Sequence, residues 1–525
     1  MTRRRLLLVV LAGAATLGLA ERLGARSSSA LKRGGVYRVV IPGIDSIDPA
    51  ITYGPAAPYL DASCAFLLRG ASTPDVAADQ PTISDGGKTY TFRLRKTFRF
   101  NTGTPVTAAS FAHAIDRALA PAMQSPGAAY FADIVGADDV GAGKATHASG
   151  VHARGYTLTI HLSRPVPDFA ARLTVTSACA VPTRLPAAPE AVTAPLSGAG
   201  PYYVAEYFPG RKLVLRRNRF YTGPRPHRVD RVVVTIVDGD QTALTALVQG
   251  AADWADISDI SLLDTLSASV RRRLRVSSSA ANGVRYVVMN TARRAFRNNV
   301  RLRQAVNFAL DRPALLRIRG GSLVGRVTDH YLPSVFPGFR RVRIYALPRP
   351  DVRRARALAR GRTRGGRLVL YAQNSGPAVE ESKVVKADLT RIGLDVEIRE
   401  FPGEQLFARL ATPGEPYDLA LMGWSPDYED PYDFLNVLLD SRAAAGPSPT
   451  NLAHFASPRY DRLLRRAAAL RGRGRYVAYG KLDVLLARDA APLAAYMESK
   501  QVAVVSRRTG CLVHGRVDLA TVCLR

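Results

Sequence analysis

The run from Leu368 to Ile398 most constrains the fold. Leu368-Val369-Leu370-Tyr371 reads as a strand. Val379 to Ile392 is a helical stretch stopped by Gly393, and Leu394-Asp395-Val396-Glu397-Ile398 is a second strand. Strand, crossover helix and strand in this spacing demand a parallel pair within an α/β sheet. A length of 525 residues is too great for one core and implies two to four compact units.

The other strands support this. Gly35 to Ile41, Tyr90 to Arg95, Gly155 to Leu162 and Lys212 to Arg216 read as strands, as do Tyr286 to Asn290 and Pro492 to Met497. Val232 to Val237 is a β-branched run, expected to be covered on both faces. Thr107 is an N-cap for the apolar stripe Phe111, Ala114, Ile115, Ala118 and Leu119. Asp240 is expected to cap a helix over 242–248 that Gly250 ends, and Asn299 another carrying Leu302, Ala305, Val306 and Ala309. Tyr460 to Leu470 and Tyr476 to Asp489 read as two late helices.

The chain opens with Arg3-Arg4-Arg5 and an uncharged run from Leu6 to Ala20, too short for a membrane span. It reads as an export leader with twin-arginine character; an uncleaved anchor is the alternative. A Ser-rich tether follows, and no cysteine near the cleavage region supports lipid attachment. The mature chain is expected at the periplasm or cell surface. Its cysteines are Cys64, Cys179, Cys511 and Cys523, with no C-x-x-C pair to hold zinc. In an oxidising compartment Cys511 could bridge Cys523 and Cys64 could bridge Cys179; four buried thiols are the alternative.

The net charge is +30. Arginines spread along the whole length in short clusters such as Arg271-Arg272-Arg273, whereas a nucleic-acid face would concentrate them with interleaved aromatics. Gly86-Gly87-Lys88-Thr89 is not a phosphate loop, because Thr82 stands where glycine is required and a strand follows. There is no G-x-S-x-G elbow and no H-E-x-x-H, and the scattered histidines include His147 and His152 in a loop. No catalytic residue, metal site or cofactor is assigned.

The acidic, aromatic stretch Gly423 to Phe434 is the candidate site. It follows the strand Tyr417 to Met422, precedes the helical run Phe434 to Leu439, and is stiffened by Pro426 and Pro431. A strand that ends in such a loop is where α/β proteins hold small ligands.

Several separated segments, taken in order, resemble the peptide-binding class of extracellular solute-binding proteins of ABC importers. They are Phe100-Asn101-Thr102-Gly103-Thr104-Pro105-Val106-Thr107-Ala108, Gly198-Ala199-Gly200-Pro201-Tyr202, Arg217-Asn218-Arg219-Phe220-Tyr221 and the helix ending in Gly250-Ala251-Ala252-Asp253. Asn290-Thr291 with Val300-Arg301-Leu302-Arg303-Gln304-Ala305, Ala309-Leu310-Asp311-Arg312 and the helix Asp351 to Leu358 complete the set. Arg303-Gln304 stands one residue out from the family's run.

The resemblance implies a two-lobed α/β fold of the periplasmic-binding-protein type, class II-like. Residues 1–30 are leader and tether, 31–270 lobe I with a subdomain inserted at about 60–190, 271–495 lobe II, and 496–525 a return to lobe I. It implies a monomer that holds a peptide between its lobes and serves an ABC permease, with no nucleic-acid partner. A secreted peptide hydrolase and a non-transport cell-wall or signalling relative are the alternatives. In Trp424-Ser425-Pro426-Asp427, Asp427 matches the carboxylate that holds the ligand ammonium and Trp424 the ring that covers the ligand. Ser425 and Tyr428 flank them, and Asp45 and Tyr53 of the early loop are expected to form a further wall. Asp430-Pro431 is expected to fix the loop. Leu421 stands where some peptide binders keep arginine, so the resemblance supplies no cation for a ligand carboxylate.

Overall fold

The computed structural model describes residues 33–52, 57–70, 73–445 and 449–525. The leader, the tether up to residue 32 and Tyr53 lie outside the described residues. Among the described residues no helix is long and apolar enough to cross a membrane.

Two large sheets organise the α/β fold. The first has seven strands in the spatial order Leu274–Ser278, Val502–Ser506, Trp254–Ala255, Val36–Ile41, Arg231–Ile236, Lys212–Arg217 and Tyr202–Phe208. Val36–Ile41 runs parallel to both Arg231–Ile236 and Trp254–Ala255. The run at 232–237 is not covered on both faces: Val232 and Val234 are buried, whereas Arg231 and Thr235 are exposed. Its β-branched residues reflect strand stiffness, which serves a half-covered strand equally well. The helix Gly239–Val248 follows Asp238, and Asp240 is not its cap. The Asp240 carboxylate instead accepts the Ser258 and Asp259 backbone N–H groups at 3.0 and 2.6 Å, tying down the next loop.

A smaller antiparallel sheet, ordered Thr82–Ser84, Thr89–Arg93, Thr157–His161 and Val151–Arg154, belongs to the segment inserted within the first half. Helix Ala108–Leu119 lays Phe111, Ile115 and Ala118 on the same core as Tyr90, Phe92, Leu158 and Ile160. Cys64 and Cys179 close this segment with a disulfide, and Cys511–Cys523 forms a second bridge near the C-terminus.

The second large sheet has six strands, ordered Gly325–Val327, Leu493–Ser499, Gly283–Met289, Leu419–Trp424, Arg367–Gln373 and Asp395–Phe401. Arg367–Gln373, helix Pro377–Thr390 and Asp395–Phe401 form the expected parallel unit, with Arg367 opposite Asp395 and Gln373 opposite Phe401. The sheet is mixed, because Gly283–Met289 is antiparallel to both of its neighbours. Both faces are covered. Leu368, Leu370, Leu419 and Leu421 pack under helices Val300–Ala309 and Pro377–Thr390. Tyr371, Ala420 and Met422 face Phe434, Leu464 and Leu482 of the later helices. Alternation along Leu419–Trp424 therefore puts Trp424 on one face and Gly423 on the other.

Strand Leu274–Ser278 still pairs in the first sheet, and Leu493–Ser499 runs in the second. The chain thus passes between the sheets at 279–282 and returns at 500–501.

Candidate functional site

Strand Leu419–Trp424 lies between two neighbours that it treats differently. It pairs along its whole length with Gly283–Met289, from Met289 opposite Leu419 to Val284 opposite Trp424. On its other side only Leu419 and Ala420 pair, with Leu370 and Tyr371. Beyond that point the strands part, and a cavity of about 220 Å³ opens against residues 421–425. Gln373, Leu406, Phe407 and Arg285 share its wall with Trp424 and Ser425. It sits at the carboxyl ends of the parallel strands, the usual ligand position in open α/β sheets.

The loop that follows is held by a residue missed from the sequence. Asp433, fully buried in the first turn of helix Tyr432–Leu439, accepts the Asp427 backbone N–H at 2.8 Å and the Trp424 indole N–H at 3.3 Å. Burial, reinforced by the charge of Asp427, pushes the Asp433 carboxyl well above the usual carboxylate range. Its Oδ1 finds no hydrogen-bond partner among the described residues. Asp433 therefore takes up a proton before an ordinary carboxylate would, which removes like-charge repulsion beside Asp427.

The expected site residues do not all converge. Trp424 is half-buried and Ser425 exposed, and both line the cavity. Asp427 lies beyond that lining and accepts a hydrogen bond from the Tyr130 hydroxyl of the inserted segment. Asp45 is exposed on the loop after strand Val36–Ile41. Tyr428 is buried and sits among the core of the inserted segment. Its hydroxyl donates to Asp168 at 3.0 Å, and its ring meets Tyr130 edge-on at 5.7 Å. Its side chain faces that core rather than the cavity.

Beneath Tyr428 runs a buried ionic chain. Arg172 donates to Asp168 at 2.9 Å, Arg475 approaches Asp168 at 3.3 Å, and Arg475 clamps Asp430 through contacts of 2.8 and 3.0 Å. Burial opposes the charge of Asp168, but Arg172 and Arg475 outweigh it and hold the carboxyl below its usual value. Burial prevails at Asp430 over Arg475, its one cation in this chain, and over the Tyr432 backbone N–H, so its carboxyl is raised. This chain joins the inserted segment to the second half of the molecule.

A second cavity, of about 260 Å³, is bordered by Arg326, His330, Phe339 and Arg341. Nδ1 of His330 meets Asp483 at 2.6 Å and Nε2 meets the Val342 carbonyl at 2.7 Å. Burial alone would lower its pKa. The Asp483 hydrogen bond and charge, then the Val342 carbonyl and Asp329, lift it to about 9. With both nitrogens donating, the imidazolium has no lone pair for base catalysis. Because the folded pKa is raised, its stabilisation is complete below the unfolded value near 6.5 and fades as pH rises through about 9. Denaturation midpoints are expected to correspond to a loss of about 2–3 kcal/mol between pH 6 and 10. A His330→Gln variant should lack that part of the pH dependence; an unchanged profile would refute the assignment.

Residues 72–446 match the family described as "Bacterial extracellular solute-binding proteins, family 5 Middle". The chain is 25% identical over 446 residues to the periplasmic oligopeptide-binding protein OppA of Escherichia coli, covering 82% of this chain and 80% of that protein. Its fold is similar to that of the solved "Clavulanic acid biosynthesis oligopeptide binding protein 2", at TM-score 0.84 and 25% identity over 94% of this chain and 96% of that one. It also resembles the periplasmic binding protein DppA of Helicobacter pylori, solved in complex with the peptide STSA, at TM-score 0.76 and 21% identity over 94% of this chain and 98% of that one. With the family match spanning most of the chain, this two-lobed protein belongs to the bacterial extracellular solute-binding proteins, family 5.

Proposed function

We propose that the protein captures peptides outside the cytoplasm, between two lobes, and delivers them to an ABC import permease. The observation that carries this reading is the bare edge of strand Leu419–Trp424 beyond Ala420, open to a cavity beside Trp424. An extended peptide can add to such an edge through its main chain, so affinity need not depend on side-chain sequence. Relatives named as oligopeptide-binding proteins, and a similar fold solved with a bound peptide, support it.

Trp424 and Ser425 form the wall along which the peptide lies, and Asp427 is the counter-charge for its α-ammonium. An ammonium leaving water needs an ionised partner, and a carboxylate can accept several hydrogen bonds at once. Asp45 contributes from the opposing lobe. Lobe I carries the first sheet with its inserted segment, and lobe II the second sheet. The passages at 279–282 and 500–501 act as the hinge, a small number of loop residues absorbing closure. The N-terminal run from Arg3 to Ala20 directs export, and the mature protein works as a monomer. Two disulfides accord with an oxidising compartment.

Mass spectrometry of ligand retained by the folded protein tests the reading. A peptide at a hundredfold excess over its Kd is expected to add about 2.7 kcal/mol to stability. Asp427→Asn should weaken binding of peptides with a free amino terminus by about a hundredfold. Absence of any stabilisation by di- to pentapeptides, with Asp427→Asn silent, would exclude it.

A further inference from the structure

Among the described residues, the cavity beside Trp424 has a single ionisable residue in its lining, Arg285. It lies on strand Gly283–Met289, directly opposite Gly423. A Cβ placed on Gly423 would come within 3.4 Å of Arg285 Cγ and 3.5 Å of Nη1, so the arginine lies across the bare glycine. Its side chain is 23% exposed.

Its protein partners leave it under-compensated. Arg285 Nε donates to the Tyr496 hydroxyl at 3.0 Å, and Nη2 stands 3.5 Å from Glu381. Glu381 is fully buried and already held by Arg319 through two bonds of 2.9 and 2.6 Å, with the Tyr496 hydroxyl donating to it at 2.9 Å. Two guanidiniums thus face one carboxylate, leaving one net positive charge at the cavity. Nη1 makes no hydrogen bond among the described residues. A guanidinium in this state is suited to a planar anion, which it can engage through its remaining donors.

We propose that Arg285 is the counter-charge for the free carboxyl terminus of the bound peptide, an inference that rests on the peptide reading above. The cation is absent from position 421, where the residue is Leu421, and the adjacent strand supplies it instead. The spacing then limits the ligand. Gly423 and Asp427 are four residues apart in the chain, so their Cα atoms are separated by at most about 14 Å. A peptide whose amino end meets Asp427 and whose carboxyl end meets Arg285 is short, about two to five residues.

The test uses a randomised tripeptide library offered half as free acids and half as carboxyl-terminal amides, with bound species read by native mass spectrometry. The wild-type protein is expected to enrich free acids over amides by about thirtyfold. Arg285→Gln should bind both at the level of the amides, and Arg285→Lys should retain part of the preference. The melting temperature of each ligand-free variant checks folding, with Glu381 still held by Arg319. Amides that carry a terminal glutamate form a separate arm; if they match the free acids, a side-chain carboxylate is read and the terminal assignment is wrong. Equal binding of acids and amides by the wild-type protein overturns this inference while leaving the peptide reading intact. Binding of neither overturns both.

Discussion

Replacing Arg475 by methionine is expected to lower the free energy of unfolding by about 3–5 kcal/mol, the range for removing one partner of a buried ion pair. Methionine preserves much of the side chain's bulk beside Tyr479, so little of the loss is volume; it removes the charge and the donors to the Ala467 and Ala468 carbonyls. Asp168 would keep Arg172 and the Tyr428 hydroxyl. Asp430 would keep only the Tyr432 backbone N–H at 2.8 Å. The deficit should therefore be larger at pH 8 than at pH 5, because protonation neutralises a buried Asp430 that has lost its cation. Adding Asp430→Asn should recover part of the loss, and the double-mutant cycle measures the coupling. Chemical denaturation decides it: a loss below about 1 kcal/mol, or no recovery in the double variant, would show that this chain of charges is not a structural tie between the inserted segment and the second half.

Removal of the Cys64–Cys179 bridge, with both residues changed to alanine, is expected to cost about 2–5 kcal/mol. Alanine avoids burying new hydroxyls at two sites that are almost fully enclosed. The bridge spans 115 residues, whereas Cys511–Cys523 spans 12. On chain-entropy grounds the long-range bridge should contribute more by about 2 kcal/mol. Paired denaturation curves of the two double-alanine variants test the order. A larger loss at Cys511 and Cys523 would show that local packing, not loop closure, sets these contributions.

Much of the fold was legible because its signals are local. The strand–helix–strand run at 368–398 carries its own periodicity and its own stop at Gly393, and the structure reproduces it as a parallel pair. The Val232 to Val237 run shows the limit of such reading. Its apolar composition suggested two covered faces, but coverage depends on which elements pack above and below, and here alternate residues are exposed. Asp240 is similar: an acidic residue near a helix start looks like a cap, yet a loop eighteen and nineteen residues on claims its carboxylate.

For the site, the order of motifs and the spacing of Trp424 and Asp427 could be read along one stretch of chain. The α/β class, the candidate loop and the cysteines available for bridging all follow from the linear pattern of residues. Which side chains meet there depends on contacts between distant parts of the chain. Tyr130 reaches Asp427 from 297 residues away, and Asp168 takes the Tyr428 hydroxyl from 260. Arg285 enters the cavity because its strand pairs with Leu419–Trp424 in one particular register. Hydrophobic periodicity reports which face of an element turns inward, but strand order and register come from closure of the whole core. The cavity itself is a product of that closure, opening where two neighbouring strands part after Ala420.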